Sequence, residues 1–208
     1  EIRAEAIVRN IDSFCRALPW AIQTSGLFVD YSKLAKHSKV SRHNLSRFYE
    51  IFEDTLLGQR VWPDTKLREK ADLIKHPKFF VFDLGVYNAS AGSFEISEDR
   101  KGILFEHLVY NQLIHSSWAK NKDHTITTFR TRGGLEVDFI LTLEGKRFAI
   151  EAKAQNEIHS SYLISLKRVQ SEYERSITPL GVHLGKNSKK VEGIWCHPWQ
   201  AFLKDLGL

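Results

Sequence analysis

Three acidic residues and a lysine occupy positions where a strand-forming stretch should bury apolar side chains. In "GLEVDFILTLEGKRFAIEAK", Gly134 to Lys153, the acids Glu136, Asp138 and Glu151 interrupt runs of Val, Phe, Ile and Leu, and the stretch closes on Lys153. The turn-like dipeptide Glu144-Gly145 predicts a hairpin with a short loop. A turn there pairs Leu143 with Lys146 and Leu141 with Phe148. Continued along the strands, this register sets Asp138 opposite Glu151 and Glu136 opposite Lys153. Opposed residues have Cβ atoms about 4.5–5.5 Å apart, so two carboxylates there repel each other, and desolvation adds to the cost. A hard divalent cation with oxygen ligands, Mg²⁺ or Mn²⁺, fits best. A proton shared by the pair, or a neutralising Lys or Arg, would also serve. The bland reading of Glu136 and Lys153 is a cross-strand ion pair, worth a few tenths of a kcal/mol.

Glu106 extends the constellation. In "GILFEHLVYNQL" it shares a helix face with Ile103, Val109, Tyr110 and Leu113, an apolar stripe that turns it inward as a further metal ligand.

These residues need a frame. The chain has 208 residues with 42% hydrophobic and 26% charged content, the composition of an ordinary globular protein of one or two domains. Thirty Lys and Arg against 25 Asp and Glu leave a formal charge of +5, which permits a polyanionic partner without requiring one. Cys15 and Cys196 make no metal pattern and, with no apparent signal peptide, imply a reducing, cytoplasmic setting. No apolar run is long enough to span a membrane. The absence of methionine reads as a fragment of a longer protein, and the absence of a GxxxxGK[ST] loop puts any ATP site outside this chain.

Along the chain, Ile7, Ile11, Phe14, Leu18 and Ile22 have helical spacing, expected to break or kink near Pro19 and to stop at Gly26. "YSKLAKHSKVSRHNLSRFYEIFEDTLL" predicts a helix from Ser32 to about His37, a turn through Lys39 and Val40, and a second helix capped by Ser41. Two extended runs, "LLGQRV" and "KFFVFDLG", follow, and the charged stretch between them, with Lys66, Arg68 and Lys70, is the candidate wing. The texture changes near Ala91 to Arg100. One domain, helical and of winged-helix type, is expected over residues 1–95 and a second over 96–208. In the second, a helix, three strands, a helix and further strands make an α/β (α+β) domain of order αβββαβ.

Glu106 on a helix, Asp138 on one strand and Glu151-Ala-Lys153 on the next resemble the PD-(D/E)xK nucleases of restriction-endonuclease-like fold, although Val137 stands where that signature has proline. A longer likeness runs through "KVSRHNLSRFYEIFEDTLLG", "PKFFVFDLGV", "FRTRGGLEVDFIL", "IEAK" and "PWQAFL". These resemble the C-terminal half of prokaryotic AAA-type ATP-binding proteins, in which a P-loop ATPase precedes a winged helix and a nuclease-like domain of unknown function.

The resemblance implies a metal-dependent nuclease or nuclease-like effector. Asp138 and Glu151 would hold Mg²⁺ or Mn²⁺ with Glu106 and the Ala152 carbonyl, and Lys153 would orient water or stabilise the transition state. Arg130 and Arg132 would position phosphate, with Lys167 a further candidate. Arg42, His43, Ser46 and Arg47 open the second helix of the helix-turn-helix, where base contacts are made, although Glu50, Glu53 and Asp54 follow. The implied partners are nucleic acid, DNA ahead of RNA, and the chain's own N-terminal ATPase domain, through which alone ATP would enter. A membrane is not implied, and an oligomer is compatible. The competing reading is a non-catalytic DNA-binding or protein-docking module coupled to that ATPase; a regulator using the winged helix alone is a third.

Overall fold

The structure is a computed structural model, and it describes residues 10–208. Ile7, the first apolar residue of the expected opening helix, lies outside the described residues. The chain divides into two compact units, residues 1–61 with 76–96, and residues 62–75 with 97–208.

The first unit is built on three helices and a strand pair. Helix α1 (Ile11–Gln23) starts at Asn10, whose side chain accepts from the Ser13 N–H, and passes through Pro19 without stopping. The expected break does not occur; the proline lies on the exposed side of the helix. Helix α2 (Tyr31–Ser38) is capped by Asp30, and helix α3 (Arg42–Asp54) by Ser41, which accepts from the Asn44 N–H. Lys39 takes φ 55° between them and makes the turn. Leu34, Val40, Leu45 and Tyr49 are buried where the two helices pack, as the apolar spacing requires. Phe14 of α1 meets Phe48 edge-on at 5.3 Å between ring centroids. Strands β1 (Gly58–Val61) and β2 (Lys78–Val81) pair antiparallel.

The stretch joining β1 to β2 is not the expected wing. Residues 62–75, with short helix α4 (Thr65–Arg68), belong to the second unit, where Leu67 and Leu73 are buried in its core. The two leucines in "DTKLREKADLIKHP" explain this, since a solvated wing could not bury them. Asp64 anchors the segment: it caps α4 through the Leu67 N–H and takes an ion pair from Arg147 at 3.1 Å. Helix α5 (Leu84–Ser90) completes the first unit, capped by Asp83.

The second unit is a six-stranded sheet with helices on both faces. After helix α6 (Glu98–Ala119) come β3 (His124–Arg130), β4 (Glu136–Leu143) and β5 (Lys146–Lys153). Helix α7 (Ile164–Arg168), preceded by a 3₁₀ turn over Ser160–Leu163, widens into a π turn over Val169–Tyr173. Strands β6 (Thr178–His183), β7 (Lys189–Val191) and β8 (Ile194–Pro198) and helix α8 (Trp199–Asp205) follow. The sheet order is β3-β4-β5-β6-β8-β7; β5, β6 and β8 run parallel and the other neighbours antiparallel. Tyr110 of α6 stacks on Phe139 at 6.0 Å, covering one face. Leu163, Leu166 and Val169 around α7 pack with Ile140 and Ala149 on the other. The mixed α/β architecture expected from the sequence is the one observed.

Candidate active site

The hairpin that carries the acids forms in the expected register as far as it goes. Glu144 and Gly145 both take positive φ, 49° and 76°, the conformation of a two-residue type I′ turn. The β4–β5 ladder runs from Leu143↔Lys146 to Phe139↔Ile150. There it stops, one pair short of Asp138 and Glu151. The cause lies on the other side of β4: its pairing with β3 steps from Ile140↔Thr127 to Val137↔Phe129, three residues of β4 against two of β3. The extra residue is a β-bulge across Asp138-Phe139, which locally re-aims side chains. Where the main chains part, the Asp138 carboxylate enters the gap, and its Oδ2 accepts the Ala152 N–H at 2.8 Å.

Glu151 and Lys153 share a face of β5, the face covered by α7. Asp138 and Glu151 are 7% and 8% exposed. Lys153 Nζ stands 2.5 Å from Glu151 Oε1 and 3.8 Å from Asp138 Oδ2, so the ammonium is the counter-ion of both acids. It also donates to the Ala152 carbonyl at 3.3 Å and lies over the Tyr162 ring, 5.6 Å from its centroid. The internal neutralisation that sequence reasoning weighed against a metal is therefore in place. The expected Glu136–Lys153 pairing is not: the bulge and the end of the ladder separate them, and Glu136 pairs with Arg130 at 3.3 Å.

The electrostatics are unequal across the cluster. Burial pushes the Glu151 carboxyl well above the usual carboxylate range, and the charges of Asp138 and Glu106 push the same way, with Lys153 only partly offsetting them. Burial acts to lower the Lys153 ammonium, but the charges of Asp138 and Glu151 outweigh it and hold its pKa above the usual lysine value. Glu151 Oε2 is buried and makes no hydrogen bond. An orphaned carboxylate oxygen in such a place is costly.

That donor set fits a hard cation: an unpartnered oxygen of Glu151, the Asp138 carboxylate and the Ala152 carbonyl beside them. Glu106 does not complete a cage. It comes from α6, on the opposite face of the sheet, and its charge reaches Glu151 and Lys153. Among the described residues no group of three or more His, Cys, Asp or Glu is placed to hold a metal ion.

The remaining expected residues are dispersed. Arg130 is held by Glu136, and Arg132 pairs with Asp72 at 3.5 Å on the surface. Lys167 pairs with Glu192. In the first unit Arg42, His43 and Arg47 are exposed along the start of α3 and Ser46 is half-buried. Glu53, expected to repel a polyanion, is instead engaged by Arg60, whose Nε donates to it at 3.0 Å. Two residues that sequence reasoning missed adjoin Lys153: Tyr162, from an irregular turn with no periodic signal, and His183, its register partner on β6. Only the pairing of β5 with β6 could have revealed His183.

Residues 101–202 match the model of a domain of unknown function, DUF4143, and residues 1–97 match that of another, DUF8612. No curated protein and no solved structure matches the chain. Among the described residues no helix is long and apolar enough to cross a membrane.

Proposed function

We propose that the second unit is a Mg²⁺- or Mn²⁺-dependent nuclease domain of the PD-(D/E)xK kind, and that the chain is the effector region of an AAA-type ATPase. One observation carries this reading. At the parting of β4 and β5, a buried carboxylate oxygen without a partner faces a second carboxylate and a lysine. A core assembled for stability alone would not retain that arrangement. The occurrence of DUF4143 in ATPase-associated proteins supports the coupling to an ATPase.

Asp138, Glu151 and the Ala152 carbonyl would hold the cation, with Glu106 adding negative charge. When bound, a divalent cation supplies Lewis acidity and a more acidic water. The protein's own contribution is positional. Asp138 is fixed by the Ala152 N–H, which holds its carboxylate at the mouth of the hairpin. Lys153, once its contact with Glu151 relaxes, has its ammonium beside the reacting atoms to stabilise developing negative charge. Arg132, whose partner Asp72 is itself exposed, can exchange that pair for phosphate at little cost.

The alternative reading, a non-catalytic nucleic-acid-binding or docking module, is favoured by the lysine already neutralising both acids. Titration of Mn²⁺ into the chain by calorimetry, beside Asp138→Ala and Glu151→Ala, separates the two. Saturable binding lost in both variants, with Mn²⁺-dependent cutting of labelled single-stranded or duplex DNA or RNA, supports the nuclease. No binding by the wild type sinks it in favour of the module.

A further inference from the structure

Past the end of β5, where His183 lies beside Lys153, a cleft of about 500 Å³ opens. Its position follows from the topology. Strands β5 and β6 are parallel and end side by side at Lys153 and His183, and crevices outside the carboxyl ends of parallel strands are where open α/β sheets hold ligands. The loops leaving the two strands are tied together, since the Leu184 N–H donates to the Gln155 carbonyl at 2.8 Å. Gly185 permits this approach: a Cβ there would stand 2.0 Å from the Asn156 carbonyl oxygen. His183 is buried and accepts the Gly185 N–H on Nδ1 at 2.9 Å, fixing the turn from within. The cleft is therefore held open by main-chain bonds and by a buried histidine that burial keeps less basic than usual.

Its lining has two characters. The floor is apolar, from Ile158, Val191 and Cys196. The rim is polar and basic, with Lys186, Asn187 and Lys189 exposed at its edge. Glu157 opposes them through a 3.7 Å pair with Lys189, both side chains mostly exposed, a contact that a polyanion can displace. The volume lies within the ~300–1,000 Å³ of sites for small organic ligands. An apolar floor under a cationic rim matches the two ends of a nucleotide: a base with an apolar face and an anionic phosphate.

We propose that this cleft is the subsite for an unpaired nucleotide flanking the phosphodiester at Asp138 and Glu151. Its base lies over Ile158 and Val191, and its phosphate is held by Lys186 and Lys189. The proposal rests on the nuclease reading for what happens at the carboxylates, but not for binding. A base in a cleft of this shape cannot remain paired, so the preferred substrate is single-stranded, or a duplex end or flap that frees a nucleotide. Substrate class is thereby assigned to β6, β7 and their loops, apart from the helix-turn-helix.

The test is fluorescence anisotropy of a labelled single-stranded oligonucleotide, and of its blunt duplex, with the full chain in EDTA. No cation is present, so cleavage does not enter. Expected is tighter binding of the single strand. Lys186→Ala and Lys189→Ala should each weaken it about three- to tenfold and lower the salt slope by about 0.7. Lys204→Ala, on α8, should change neither. Because the assay contains no cation, a failure of the catalytic reading leaves this binding result standing. Val191→Phe, which narrows the floor, should weaken the single strand more than the duplex; circular dichroism checks its fold. Unchanged binding in a variant that combines Lys186→Ala with Lys189→Ala, or equal losses on single strand and duplex, overturns the proposal.

Discussion

Asp138 Oδ2 accepts the main-chain N–H of Ala152 at 2.8 Å, at the point where β4 and β5 cease to pair. The side chain stands where a backbone carbonyl would otherwise be, so one carboxylate both terminates the hairpin and is held rigidly at its mouth. Asp138→Ala removes that acceptor and leaves a buried donor unsatisfied, a loss of about 1–3 kcal/mol. Asp138→Asn keeps an acceptor oxygen and should lose less than half as much. Urea denaturation of the two variants beside the wild type measures the difference; equal losses would mean the bond contributes little. Both should abolish Mn²⁺ binding, which separates the structural role from the ligand role.

Glu151 sets a pH dependence of stability. Its folded pKa is raised, first by burial and then by Asp138, so the folded state binds more protons than the unfolded one as pH rises above the ordinary carboxylate range. Stability from this group is greatest below the unfolded value of 4.5 and declines as pH climbs through the raised one. Glu151→Gln mimics the protonated side chain at all pH values. It should match the wild type near pH 5 and exceed it by roughly 1–3 kcal/mol near pH 9. Thermal unfolding at the two pH values reads this out. A variant less stable at pH 9 would mean that the contact with Lys153 outweighs the burial.

Arg147 joins elements far apart in sequence. Its guanidinium reaches Asp64 at 3.1 Å, Glu174 at 2.9 Å and the Thr142 hydroxyl at 3.2 Å, and its side chain is only 10% exposed. Arg147→Ala strands two poorly solvated carboxylates, and a loss of about 3–5 kcal/mol is expected. Adding Asp64→Asn and Glu174→Gln to it should recover part of the loss, because the buried charges go with the arginine. Denaturation midpoints of the single and triple variants check this; no recovery would assign the effect to lost packing of the arginine stem.

The local chemistry of these elements was legible in the sequence because it depends on neighbours in the chain. Asp30, Ser41 and the left-handed Lys39 between two amphipathic helices define the helix-turn-helix, and Glu144-Gly145 sets the hairpin register. What escaped depends on distant pairing. The bulge at Asp138-Phe139 arises from a mismatch with β3 that no residue of β4 announces. Residues 62–75 look like a charged wing until Leu67 and Leu73 find a core that only the folded second unit supplies. Of the stripe expected on α6, Val109, Tyr110 and Leu113 are buried while Ile103 and Glu106 are only half-buried, and the face of the sheet that Glu106 would serve depends on how the chain crosses from β5 to β6. Trp195 and Phe82 are 48% and 44% exposed, because aromatic content does not distinguish a buried face of a strand from a solvent-facing one.

The start of α3 offers the last prediction. Arg42, His43 and Arg47 are exposed on its first turns, and Glu53, the acid that would have opposed a polyanion there, is engaged by Arg60. Glu50 and Asp54 remain exposed farther along the helix, so any phosphate contact must be confined to its beginning, as in a recognition helix entering a groove. Replacing both Arg42 and Arg47 by Ala removes two cations from an exposed surface and should leave the melting temperature within about 2 °C of the wild type. Duplex DNA binding should fall about tenfold or more, with the salt slope reduced by about 2. Single-strand binding through Lys186 and Lys189 should persist. Duplex affinity unchanged in the double variant, with the fold intact, would leave α3 as a surface for docking protein.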